Sequence, residues 1–171
     1  QDRYLLSVSF RADGSSRFGP DNRWGYFPAV SLGWVLSDEN FFSTLATTVN
    51  FFKIRLSYGL VGNSEIGDYS YLSTYGTSTY DANTGLGISN VGDDELGWET
   101  TSQLNIGITF EILEGRISGE FDIYDKTTND LLLPFPVSQM TGVSLVTKNA
   151  GMLTNKGYDL MLSSVNINTS S

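Results

Sequence analysis

Residues 52–60 read Phe52-Lys53-Ile54-Arg55-Leu56-Ser57-Tyr58-Gly59-Leu60 and alternate almost perfectly between apolar and polar or small side chains. Successive side chains of a β-strand point to opposite faces of the sheet, so a period of two predicts a strand with one apolar and one polar face. A helix would require apolar residues at a period near 3.6. This segment therefore predicts a β-fold, and the rest of the chain follows its pattern.

The same alternation predicts six long strands along the chain. They cover residues 4–11, 24–36, 52–60, 101–112, 116–126 and 157–166. Pro28 lacks the N–H that a ladder needs, so a bulge or a local break is expected in the second strand. The sequence between the strands is rich in Gly, Asn, Asp and Ser, which favour turns and loops.

The segments between the strands carry four further predictions. Residues 37–50 are the one candidate helix, because Ser37 is suited to cap it and Glu39 to lie in its first turn. A long loop is predicted over 61–99, with short strands within 69–80, and a second loop over 138–155. Residues 131–136 are expected to extend the fifth strand until its prolines end it.

The composition excludes several classes of function. The chain has 171 residues and a formal net charge of -9, from 19 acidic and 10 basic side chains. Such a balance is unsuited to neutralising the phosphates of a nucleic acid. The absence of Cys and His removes disulfides, thiolate metal sites, the Ser-His-Asp triad and the HExxH zinc site. No catalytic residue, metal or cofactor is predicted.

The alternation has two explanations. A soluble sandwich buries its apolar face in a core, whereas an outer-membrane barrel turns that face to lipid and its polar face to the lumen. The predicted strands are longer than the usual 5–6 residues or so, and aromatic residues stand near their ends, as in membrane girdles. These aromatic residues are Trp24, Tyr26, Trp34, Tyr58, Tyr124 and Tyr158. The pattern alone leaves a soluble all-β binding or adhesion module as the alternative.

Ordered motifs over essentially the whole chain resemble one family. They are DGSSRFG at 13–19, NRWGYFPAVSLGW at 22–34, IRLSYGLVGN at 54–63, LGWETT at 96–101, DIYDKTTNDLLL at 122–133 and NKGYDL at 155–160. In this order they resemble the C-terminal barrel of SusC/RagA-type TonB-dependent transporters. The resemblance identifies a family but says nothing of the substrate.

The resemblance implies an antiparallel, up-and-down transmembrane β-barrel segment with long extracellular loops, in the outer membrane of Bacteroidetes-type bacteria. Residues 1–171 would supply about six long strands of a barrel of about 22 strands, with the plug domain and the other strands outside this chain. A SusD-like surface lipoprotein and TonB, acting through the plug, are the implied partners. The implied activity is the import of glycans, oligosaccharides or peptides, with no covalent chemistry on the substrate.

Two groups of residues are the candidates for contact with substrate. Those expected to line the lumen are Lys53, Arg55, Gln103, Asn105, Glu120 and Asp122, with Lys53 and Arg55 expected to pair with the acids. The residues predicted to contact a ligand through their aromatic rings, all in the long loop, are Tyr69, Tyr71, Tyr75 and Tyr80. A structural role in loop packing is the competing interpretation for each Tyr.

Three other clusters have a structural and a functional interpretation. Arg11, Arg17 and Arg23 either form salt bridges within the loop or contact an anionic ligand or lipopolysaccharide. The acidic run 93–95 offers oxygen ligands but lacks the regular spacing of a calcium loop. Glu120 and Asp122 share a face and allow a glycosidase hypothesis, although neighbouring acids are common on a polar wall.

Overall fold

The computed structural model describes residues 3–167 except 46, 82, 139 and 141. Six long strands form one antiparallel sheet in which each strand pairs with its neighbours in chain order. They are β1 (Tyr4–Gly14), β2 (Trp24–Val35), β3 (Val49–Asn63), β6 (Glu99–Ile112), β7 (Ile117–Asn129) and β10 (Met152–Ser164). The predicted all-β, up-and-down architecture is confirmed; every long strand except β2 runs further than predicted at one or both ends, and β2 ends one residue earlier.

Two small hairpins lie in the connections of the large sheet. β4 (Thr74–Tyr80) pairs with β5 (Asn83–Asn90), and β8 (Leu132–Pro136) pairs with β9 (Leu145–Asn149). β4 lies within 69–80, where short strands were predicted, whereas its partner β5 lies beyond that range. Both belong to connections at one end of the sheet, here called the loop end, formed by residues 15–23, 64–98 and 130–151. The opposite turn end holds 36–48 and 113–116.

The predicted helix over 37–50 is wrong. Two short 3-10 segments, Leu36–Asp38 and Asn40–Thr44, stand there, and β3 begins at Val49. The ring of Phe42 stacks on Phe52 at 6.2 Å, and the β-branched run before β3 favours an extended backbone. Among the described residues, no helix is both long and apolar enough to cross a membrane.

Two predictions about the last third of the chain are also wrong. Residues 131–136 do not extend β7, because Asp130 has a φ of 55° and turns the chain into the separate strand β8. Its prolines lie in a two-stranded hairpin, where a missing N–H is tolerated. Residues 138–155 are not one loop, since they contain β9 and the start of β10.

Pro28 does not interrupt the pairing of β2 with β1, so the predicted bulge is wrong there, and a local break occurs only in the pairing of β2 with β3. It pairs in unbroken register with Phe10 of β1. The pairing of β2 with β3 begins only at the next residue, Ala29, opposite Gly59. The proline therefore stands just outside the second ladder, where a residue without an N–H donor is tolerated.

The register separates the sheet into an apolar and a polar face. One row across the sheet consists of Tyr4, Trp34, Ile54, Ile108, Phe121 and Leu160. The adjacent row, on the opposite face, consists of Leu5, Gly33, Arg55, Gly107, Asp122 and Asp159. Most of the apolar face is uncovered; Val8, for example, is 71% exposed.

Few apolar side chains of the described residues are buried. They are Phe18, Phe27, Val35, Phe42, Leu96 and Val146, and they lie near the strand ends or in the connections. The middle of the sheet thus has no apolar core against either face. Its stability depends on the ladder hydrogen bonds and on whatever covers the apolar face.

Candidate functional site

A charged cluster occupies the polar face of the sheet. The Nη2 atom of Arg55 lies 3.2 Å from Oδ1 and 3.0 Å from Oδ2 of Asp122, and its Nη1 lies 3.9 Å from Oε1 of Glu120. The hydroxyl of Thr109 lies 3.5 Å from the same Glu120 oxygen. The expected pairing of Arg55 with the two acids is confirmed, and all three side chains remain about one-third exposed.

The other three predicted wall residues lie on the same face but outside this cluster. The amide of Gln103 donates to Oδ1 of Asn105 at 3.2 Å. Lys53 has no ion pair among the described residues, and its stem passes over Gly33. A shallow recess of about 380 Å³ joins Lys53 to the Arg55–Asp122 pair. The recess is suited to hydrogen bonding with a polar solute, and the carboxylates are already engaged by Arg55.

The predicted tyrosines do not form one cluster. Tyr69 and Tyr71 line a recess at the loop end together with Arg17 and Arg23, whereas Tyr75 projects from β4 and is 71% exposed. The side chain of Tyr80 lies outside the described residues. Sequence spacing could not distinguish these positions. Tyr75 and Tyr80 belong to the hairpin strand β4, whereas Tyr69 and Tyr71 precede the hairpin.

The three arginines at 11, 17 and 23 have different surroundings. Arg11 pairs with Asp13 at 2.7 Å, and Arg17 pairs with Asp68 at 3.2 Å. The Arg11 pair agrees with the salt-bridge interpretation, whereas Arg17 pairs outside the first loop, with an acid in the connection 64–98. Among the described residues Arg23 has no ion pair, and of its guanidinium nitrogens only Nε has a hydrogen bond, to the carbonyl of Phe18 at 3.4 Å.

An aromatic cluster at the loop end was not predicted. The ring of Trp98 lies 5.4 Å from those of Phe18 and Phe27, and the guanidinium of Arg11 lies 5.5 Å from the Phe27 centroid. Phe27 lies on the polar face, and its ring occupies the space that a side chain at Gly62 would need. One feature of the sequence could have indicated this cluster: Phe27 is a large aromatic residue among the mostly small odd-numbered residues of β2.

Polar side chains join the loops to one another. The side-chain amide of Asn149 accepts from the N–H of Gly97 at 2.7 Å and donates to its carbonyl at 2.9 Å. Lys148 reaches Asp93 at 3.6 Å. Within the described residues no three acidic side chains converge as metal ligands would. The acidic run 93–95 is therefore part of the contact between two loops.

A carboxylate organises the turn end. Glu39 accepts hydrogen bonds from the hydroxyl of Tyr4 at 2.6 Å, from the indole Nε1 of Trp34 at 3.2 Å and from Arg3 at 3.4 Å. The Tyr4 and Trp34 rings stack 6.2 Å apart. The hydrogen bond from Tyr4, followed by that from Trp34, lowers the pKa of Glu39 below its usual value.

Aromatic residues also mark both ends of the apolar face. Tyr4 and Trp34 stand at the turn end, and Tyr26, stacked on Phe10 at 6.1 Å, stands with Trp24 towards the loop end. Tyr124 instead lies on the polar face, since it pairs in register with Asn105. The prediction that Tyr124 belongs to the girdle is thus wrong, because in β7 the odd-numbered residues face the apolar side, whereas in β2 the even-numbered ones do.

The sequence is similar to a family of barrel proteins and to its curated members. The family described as "TonB dependent receptor-like, beta-barrel" matches residues 1–169. The chain is 40% identical over 163 residues to TonB-dependent receptor P39 of Formosa agariphila, covering 95% of this chain and 16% of that protein. It is 36% identical over 170 residues to TonB-dependent receptor SusC of Bacteroides thetaiotaomicron, covering 94% and 17%.

The structure is similar to solved structures of a peptide importer. The RagAB peptide importer in its closed-closed state matches with a TM-score of 0.87 and 32% identity, covering 97% of this chain and 18% of that one. Its open-open state matches with a TM-score of 0.83 and 33% identity, covering 96% and 18%. The chain spans less than a fifth of the length of each of these relatives.

Proposed function

The chain belongs to the TonB-dependent receptor β-barrel family, and from this membership we propose that it forms part of the wall of a SusC/RagA-like importer in the bacterial outer membrane. Its six strands are neighbouring strands of a barrel of about 22 strands. The plug and the remaining strands are supplied by sequence outside residues 1–171.

The two-faced sheet is the observation that carries this proposal. An exposed apolar face, such as the one bearing Val8 and Leu160, is stable when lipid covers it. The opposite face carries Arg55, Glu120 and Asp122, which suits a water-filled lumen. A soluble module would require a second layer over the apolar face, and the large exposure of that face argues against this alternative.

The aromatic residues of β2 support a membrane setting. Trp24 and Trp34 lie on the same face near the two ends of the strand. At about 3.3 Å per residue they stand about 33 Å apart along the strand. With a tilt of about 40° this corresponds to about 25 Å across the bilayer, which is the height of the apolar band of such barrels.

The imported nutrient is a glycan, an oligosaccharide or a peptide. The similarity to the RagAB peptide importer supports a peptide, and the glycan and oligosaccharide classes follow from the family resemblance of the sequence motifs. We propose that a SusD-like lipoprotein covers the loop end and that TonB acts through the plug. The six polar wall residues then line the path of the solute, and Tyr69, Tyr71, Tyr75 and Tyr80 contact it at the entrance. Passage breaks no bond in the solute.

Fractionation of the full-length protein tests the location. We expect it in the outer membrane, with a folded form that changes its gel mobility only after heating. An unshifted, water-soluble product would contradict the proposal and favour the adhesion module.

Cysteine labelling tests the orientation, because residues 1–171 contain no native Cys; the full-length protein without either substitution gives the background. A membrane-impermeant maleimide should label Ser78→Cys, in the loop-end hairpin, on intact cells. Glu114→Cys, in the turn between β6 and β7, should react only after the outer membrane is permeabilised. The opposite pattern would place the turn end outside the cell.

A further inference from the structure

A recess at the loop end combines two guanidinium groups with two phenol rings. It has a volume of about 370 Å³ and is lined by Ser16, Arg17, Arg23, Asp68, Tyr69 and Tyr71. Two separate connections of the sheet, 15–23 and 64–98, contribute these residues. The recess lies apart from the wall cluster around Arg55, whose lining shares no residue with it.

The backbone around Arg23 is fixed on two sides. Its carbonyl accepts the N–H of Ser15 at 2.9 Å and the indole N–H of Trp98 at 3.2 Å. Its own Nε donates to the carbonyl of Phe18 at 3.4 Å. Within the described part of the chain, Nη1 and Nη2 of Arg23 have no partner. The guanidinium is thus oriented by one N–H, and its terminal donors are free to bind a planar, two-oxygen acceptor.

The recess is positively charged in an acidic protein. Arg17 is neutralised by Asp68 at 3.2 Å and also donates to the carbonyl of Ser64 at 3.3 Å. The positive charge of Arg23 is therefore not compensated by the other residues that line the recess, although the chain as a whole has a net charge of -9. A local excess of positive charge on such a background attracts an anionic group of a ligand.

Tyr69 supports a binding role through its backbone. Its φ of 61° is in the left-handed region, which a bulky aromatic residue rarely adopts, and such strain concentrates at ligand sites. The Tyr69 side chain is 65% exposed. Phenol rings at the recess offer flat faces for stacking and hydroxyl groups for hydrogen bonds.

We propose that this recess binds the carboxylate of an acidic oligomer as it enters the importer, with Arg23 as the anion-binding residue and Tyr69 and Tyr71 beside the adjoining unit. This inference rests on the proposed function, whose substrate class it narrows. The same chemistry is offered by a uronic-acid sugar and by the C-terminus of a peptide. Both present two equivalent oxygens that match the guanidinium fork.

Calorimetry on the purified full-length protein in detergent tests this proposal. The probes are tetragalacturonate, neutral maltotetraose, and tetra-alanine with a free or an amidated carboxyl end. We expect at least one free-carboxylate probe to bind, and Arg23→Gln to weaken its binding by about tenfold or more, the size of a charge-assisted hydrogen bond. Arg23→Lys should recover part of the affinity, because it keeps the charge but loses the fork.

Arg116→Gln is the matched control. It removes the same charge from an exposed position at the turn end and should leave binding unchanged. Tighter binding of tetragalacturonate than of maltotetraose would identify a uronic-acid sugar as the source of the carboxylate. Tighter binding of free than of amidated tetra-alanine would identify a peptide C-terminus, and either result supports the proposal. Equal affinity for charged and neutral probes, or no effect of Arg23→Gln, would overturn it.

The binding test does not depend on transport. A protein that fractionates to the outer membrane, shows the heat-dependent shift and fails to bind any carboxylate probe would overturn the inference alone. A protein that is not an outer-membrane barrel would overturn the proposed function.

Discussion

Arg55 of β3 forms a forked contact with Asp122 of β7 across the strand that separates them. The Nη2 atom lies 3.2 Å from Oδ1 and 3.0 Å from Oδ2. Gly107 of β6 stands between the two residues in the register, opposite both. A Cβ at this glycine would overlap the Asp122 carboxylate. The lack of a side chain therefore permits a salt bridge between strands that are not neighbours.

Gly107→Ala is expected to break this bridge. Because the new methyl group occupies the place of the carboxylate, Asp122 and Arg55 must separate, at a cost of about 1–3 kcal/mol for an overpacked site. The temperature at which the folded full-length barrel converts to its unfolded gel form should fall. Gly85→Ala is the control, since its nearest neighbouring atom lies at an ordinary 3.8 Å. An equal effect of both variants would contradict the role of Gly107.

Arg55→Gln is expected to destabilise the barrel more than Asp122→Asn. Asp159 of β10 lies directly opposite Asp122, and like charges in that position repel each other by about 0.2–1 kcal/mol. Removing Arg55 leaves this repulsion unopposed, whereas removing the Asp122 charge relieves it. The same thermal assay measures the order of the variants.

The addition of Asp159→Asn to Arg55→Gln provides the control for this repulsion. The double variant should regain part of the lost stability. Failure of the second change to help would show that Arg55 acts by packing and not by offsetting the acidic pair.

Phe27→Ala is expected to loosen the loop end. The ring is 5% exposed and lies beside Trp98, and truncation of a buried Phe costs about 3–5 kcal/mol. Limited proteolysis of intact cells should cleave the loops at 15–23 and 91–98 faster. Phe135→Ala, at a position that is 39% exposed in β8, should have little effect on those sites. Unchanged cleavage of Phe27→Ala would show that the aromatic cluster does not hold the loops.

Glu39 is expected to make the stability of the turn end depend on pH. Its hydrogen bond with Tyr4, and then that with Trp34, lowers its pKa below the ordinary value of 4.5. A carboxyl with a lowered folded-state pKa stabilises the protein above its unfolded-state pKa, and this contribution disappears as the pH falls through the folded-state pKa.

Comparison with Glu39→Gln isolates this contribution. The thermal midpoint of the wild type should exceed that of the variant at about pH 7, and the difference should shrink at about pH 3. A difference that stays constant between these values would show that the charge of Glu39 is not involved.

Part of the charged cluster was predictable from sequence. Strict alternation placed Arg55, Glu120 and Asp122 on one face, and opposite charges on one face are expected to pair. The pairing across β6 was not predictable, because it depends on the register that brings Gly107 into line with both partners. The loop-end recess was missed for a similar reason, since Arg23 and Tyr69 belong to different connections.

The sequence by itself determined the strands, their two faces and the family, because side-chain alternation is a local property with a period of two. Alternation did not predict the structure of residues 37–50 and 131–136, because their conformation depends on distant partners. The ring of Phe42 packs on Phe52, and β8 pairs with β9. Only the tertiary structure decided which arginines are neutralised. Arg17 meets Asp68 and Arg23 meets no acid among the described residues, because the folding of two connections over one sheet end, and not sequence distance, sets which charges touch.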